Sequence, residues 1–152
     1  MRNPMLIVGM LLVFAVPATG QETYHAIIGP SPSSSGAFGS GVATLTLDRF
    51  GTTIEYNIQF EGLTGPELAA HIHRPGGAVA HALPLGSPKI GVWQNVGSLD
   101  VFSLQAEQLF ILIHTNQNPG GELRGNIVSG PPPPLPVEAA TWGGIKAVFD
   151  AR

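Results

Sequence analysis

The sequence predicts an all-β protein, an antiparallel Greek-key sandwich or barrel, and three observations predict it. Several short segments alternate apolar and polar residues. Glycine and proline are abundant, 20 and 14 of 152 residues, as many short strands joined by turns require. No long stretch carries the helical period.

In chain order, Arg2 precedes an apolar run from Met5 to Val16 and the small residues Ala18-Thr19-Gly20. This is the layout of a secretory signal peptide, expected over residues 1–20. The run is short for a bilayer span and no second one follows, so the mature chain is expected to carry no membrane span. A β domain is expected over 21–129. Thr23–Ile28 reads as its first strand, and Gly29–Gly41 as a Ser/Pro/Gly-rich loop. Val42–Leu47 and Thr53–Phe60 alternate on either side of the turn Asp48–Thr52, a hairpin with Ile54, Tyr56, Ile58 and Phe60 on its core face. Leu68–His73 is a further short strand. Gly76–Gly91 reads as irregular, because Pro84 and Pro88 argue against a central strand there. Ser98–Leu104 alternates weakly. Gln108–His114 is apolar on both faces, as in a strand covered on two sides. Thr115–Gly121 is a turn cluster, and Glu122–Val128 is the last strand. Pro131–Pro134 open a proline-rich linker, 130–140. In the tail, 141–152, a short helix capped by Thr141 would place Trp142, Ile145 and Phe149 on one side. Trp142-Gly143-Gly144-Ile145-Lys146 behind a proline spacer resembles tails of exported proteins of environmental bacteria, which implies a sorting or docking segment.

Composition excludes several functions. A net charge of −3 with 11% charged residues offers neither a stripe for nucleic acid nor a polybasic membrane patch. There is no cysteine, so an exported domain must rely on its core or on a bound metal, which favours a bacterial source. No nucleophile with a partnered base, phosphate-cradling loop or nucleotide fingerprint is present, so hydrolase and kinase chemistry have no support.

The chemistry that remains belongs to histidine. On a strand, His71 and His73 share a face, with Ile72 on the other, so both imidazoles can address one ion. His114 ends the most hydrophobic strand and is expected at the barrel rim as a third ligand. Three neutral imidazoles without thiolate suit copper(II) or zinc, and the lack of an adjacent carboxylate argues against a facial-triad iron site. His81, in the expected loop, is a candidate fourth ligand, and His25 is read as structural or exposed. Glu122 and Arg124, two apart on a strand, are expected to share a face and either pair or contact a bound group.

The segments Gly39–Asp48, Phe60–Leu63, Ala70–Pro75, Ile113–Thr115 and Asn118–Gly125 together resemble the chordin-type (CHRD) domain, over about Tyr24 to Val128. The resemblance implies an extracytoplasmic β-sandwich whose biochemical activity is poorly defined. It does not imply growth-factor antagonism, which depends on cysteine-rich modules. The order of histidines is also similar to the copper half of copper/zinc superoxide dismutase. That resemblance implies His71, His73 and His114 as copper ligands, His81 as the bridging histidine and Arg124 as the cation beside the open position. The disulfide and the zinc loop of that enzyme are missing. The expected function is therefore an exported, periplasmic or cell-surface protein that binds one metal ion, copper before zinc. A metal-independent binding module for an extracellular protein, and a copper-dependent oxidoreductase, are the alternatives.

Overall fold

Alternation of side chains builds most of the strands, and the computed structural model describes them over residues 20–134. The signal peptide expected over 1–20, except its last residue Gly20, the linker beyond Pro134 and the tail lie outside the described residues. The strands are β1 (Glu22–Pro30), β2 (Ser40–Leu47), β3 (Thr53–Glu61), β4 (Glu67–His73), β5 (Val79–Leu83), β6 (Lys89–Gln94), β7 (Phe110–Thr115), β8 (Leu123–Asn126) and β9 (Val128–Ser129). One helix, α1, spans Ser98–Gln105.

The sheet runs β5-β4-β7-β8-β1-β2-β3-β6, with β9 alongside β1. Every pairing is antiparallel. Strand β1 is the joint between two halves. Glu22 to Ile28 pair with β2, while Gly29 and Pro30 extend past it to pair with Arg124 and Leu123 of β8. Inward residues of both halves, among them Ile54, Ile58, Ile72 and Ile111, are completely buried. Ile54, Tyr56 and Ile58 point into this core, with Phe60 packed at its edge, as their alternation predicts.

The sheet nearly closes on itself. Its two ends, β5 and β6, make no ladder, but the His81 ring of β5 stacks on Trp93 of β6 with centroids 4.8 Å apart and planes 10° from parallel. At the other end of this seam the Lys89 ammonium bonds to Glu67 and to the carbonyls of Pro84 and Gly86 at 2.6 and 2.8 Å. The lysine side chain is fully buried, and all three of its donors are satisfied. In a chain without cysteine, this ion pair fastens β4 to β6 across the seam.

Three sequence expectations are corrected. Gly76–Gly91 is not irregular throughout. It holds β5 and part of β6, and the two prolines occupy the loop between them, where no ladder donor is required. Ser98–Leu104 is helical, since only Ser103 and Leu104 of its later residues turn inward while Leu99 and Phe102 stay exposed. The last strand breaks in two, because Ile127 leaves the ladder to donate its N–H to the Leu109 carbonyl.

Candidate metal centre

The candidate ligands stand on the outer face of the half-sheet β5-β4-β7-β8. His71 lies opposite Leu112, and His73 opposite Phe110, in the β4–β7 ladder, while Ala69 lies opposite His114. Directly opposed residues share a face, so His71, His73, Phe110, Leu112 and His114 form one outward surface. Ile72, Ile111 and Ile113 fill the core beneath it. His114 is therefore brought to the pair from the adjacent strand, on the sheet face and not at the barrel rim where the sequence reading put it.

The three rings converge. Centroids lie 5.4 Å apart for His71–His73 and His71–His114, and 6.0 Å for His73–His114. One ring nitrogen from each lies within 4.8 Å of the others. Loops on either side set the tautomers. His73 Nδ1 donates to the Gly77 carbonyl at 2.8 Å, and His114 Nδ1 donates to the Pro119 carbonyl at 2.9 Å. A carbonyl only accepts, so each Nδ1 keeps its proton and each Nε2 presents a lone pair. Both loops rely on positive backbone angles. Gly77, at φ 91°, closes the turn that supplies one carbonyl. Gly121, at φ 117°, packs where an added Cβ would sit 2.6 Å from Leu112, so this turn folds tightly over the sheet.

Three nitrogens are left over. His71 Nδ1, His73 Nε2 and His114 Nε2 are buried without a hydrogen-bond partner. An unpartnered buried polar atom costs about 1–3 kcal/mol, and three of them in one histidine cluster are a donor set that a metal ion can satisfy. Burial pushes the His71 imidazole below its usual pKa, and the neighbouring His114 and His73 push it further. Both effects favour the neutral, ligating form. Metal–nitrogen bonds of about 2 Å hold donors no more than about 4 Å apart, so the rings need to close in by roughly 1 Å on loading.

The other named residues are arranged differently. His81 does not join the cluster. It lies opposite Ile72 in the β4–β5 ladder, hence on the core side of the sheet, where its ring meets Trp93 and the edge of Tyr56. Burial lowers its pKa as well. His25 bonds to the Gly130 carbonyl at 2.9 Å, a structural contact. Arg124 and Glu122 do not pair. The Arg124 guanidinium lies 3.9 Å over the Phe110 ring, and Phe110 stacks on His73 with centroids 5.3 Å apart and planes 13° from parallel. Cation, ring and imidazole form a continuous stack beside the cluster. The sequence reading missed Phe110, although its i−4 position to His114 on an alternating strand placed it on the same face.

Glu122 has turned inward, because it precedes β8 on a bend and escapes the strand alternation that would put it beside Arg124. It is fully buried. It accepts from the Thr64 N–H at 2.6 Å, the Thr64 hydroxyl at 2.8 Å, the Thr115 hydroxyl and Asn118 Nδ2. Burial pushes its pKa up, yet the hydrogen bonds from Thr115, Thr64 and Asn118 outweigh that and hold it below the ordinary value. A carboxyl depressed in the folded state contributes stability above its unfolded pKa, and that contribution is lost as pH falls through the folded value. Denaturant midpoints measured from pH 7 down to pH 3 should therefore fall less steeply for Glu122→Gln than for the parent. Equal slopes would show that Glu122 does not carry the acid sensitivity.

The family model of the CHRD domain matches residues 14–127. Chordin of Danio rerio is 33% identical over 100 residues, covering 64% of this chain and 10% of that protein. The chain thus matches about a tenth of its relative's length. No solved structure matches. Among the described residues, no helix is long and apolar enough to cross a membrane. The antiparallel near-barrel, with its outward histidine face between β4 and β7, is the fold of a chain that belongs to the CHRD domain family.

Proposed function

We propose that this protein is an exported CHRD module that binds one metal ion, copper in preference to zinc, through His71, His73 and His114. The observation that carries the reading is that three histidines, each with a buried, partnerless ring nitrogen, bring ring nitrogens within 4.8 Å of one another. Copper is favoured because an all-imidazole site binds it more tightly than zinc in the usual order of divalent affinities. When bound, the ion supplies redox or Lewis-acid chemistry. The chain's own contribution is to fix two tautomers through the Gly77 and Pro119 carbonyls and to wall the site with Phe110.

The test is a copper titration of the metal-free full chain. It should take up about one equivalent and gain thermal stability, by about 2.7 kcal/mol at a free-ion concentration a hundred times the dissociation constant. Uptake no greater than that of a variant with all three histidines replaced by alanine would refute the reading.

A second reading, a metal-independent module for an extracellular protein partner, draws support from Val79, Leu85, Ile90 and Val92. These are exposed large apolar residues on the two end strands, each paired on one edge only, and on the loop between them, the kind of surface that marks association. Its signature is partner capture that survives chelation.

A further inference from the structure

Resting on the metal reading above, we infer that the ion this site is built to hold is monovalent copper, so the module keeps copper in its reduced state. Three features support this, and the first is charge. The three donors are neutral imidazoles, and no carboxylate joins them among the described residues. Two cations flank the cluster, and one of them is already paired with a carboxylate. Arg124 sits on the Phe110 ring that stacks on His73, and Arg74, next to His73 in the chain, is engaged by Asp100 through Nε and by a second bond of 2.9 Å. The cost of desolvating an ion rises with the square of its charge. A divalent ion in this setting pays about four times the penalty of a monovalent one, with no carboxylate among its ligands to offset it.

Coordination number is the second. Zinc with three protein ligands keeps a water in its fourth position, and copper(II) likewise favours four or more donors. Here all three donor nitrogens are shielded from solvent, flanked by the Gly77 and Pro119 loops and by Phe110. Copper(I) is content with three donors and needs no water.

The third is ring orientation. His73 and His114 are turned by backbone carbonyls on their outer nitrogens, and His73 lies flat against Phe110. The rings can close by the roughly 1 Å that loading needs, but these contacts oppose the turning of the rings that a four-donor copper(II) arrangement would impose.

The test is anaerobic titration of the full chain with copper(I), in competition with bicinchoninate. Parallel titrations use copper(II) and zinc(II) against their own chelators, and X-ray absorption at the copper edge reads oxidation state and nitrogen count. The expected result is one copper(I) per chain on three nitrogens, at least a hundredfold tighter than either divalent ion. Arg124→Glu should narrow that preference at least tenfold by placing a carboxylate beside the site. Arg124 is only half-buried and its side chain bonds only Asn126, so the variant should fold. Copper(II) or zinc(II) bound as tightly as copper(I), or a preference that Arg124→Glu leaves unchanged, overturns the inference while the metal reading stands. Failure to bind any of the three ions removes both.

Discussion

His114→Ala is expected to weaken metal binding by more than the roughly 10–100-fold that loss of an outer partner to a ligand costs, while leaving the fold intact. The ring stands on the outer face of β7, half-buried, and contributes nothing to the apolar core. A three-donor site cannot replace a missing donor, and no fourth histidine is within reach, since His81 faces the core on the other side of the sheet. His81→Ala should show the opposite pattern. Metal affinity should hold, while stability falls because the Trp93 stack that helps close the seam is lost. Metal titration and urea denaturation of the two variants separate the cases. Equal losses of affinity would mean that His81 reaches the ion and that the face assignment is wrong.

Lys89→Ala should give the largest loss of stability of any single change outside the apolar core. Removing one partner of a buried ion pair typically costs about 3–5 kcal/mol, because the other charge is left without compensation. Here the abandoned groups are the Glu67 carboxylate, itself mostly buried, and the carbonyls of Pro84 and Gly86. Domain stabilities are about 5–15 kcal/mol, so a loss of this size threatens folding at ordinary temperature. Replacing both charges, as Lys89→Met with Glu67→Leu, should recover much of the loss, since a packed apolar pair often matches a buried ion pair. Urea midpoints for the single and double variants test this. A cost below about 1 kcal/mol for Lys89→Ala would place the pair with ordinary surface ion pairs and remove its role as the fastener of the seam.

The strands β2 and β3 and the shared face of His71 and His73 follow from alternation, because side-chain direction along a strand is a local property with a period of two. Strand β7 follows from its unbroken apolar run, and the turn at Asp48 from its place between two alternating segments. The motifs that resemble the CHRD domain are equally local, and the family match covers all of them. Tertiary structure decided everything that depends on which strands become neighbours. The ladder between β4 and β7 brings His114 to the histidine pair, and the register of β5 turns His81 away. A bend before β8 buries Glu122 among Thr64, Thr115 and Asn118, residues as distant as 58 positions along the chain. Two loop carbonyls choose the tautomers. The chain sequence sets how each segment alternates, but the face a segment shows and the partner its polar atoms meet are fixed by cross-strand register, bulges and loop closure, which no window of a few residues contains.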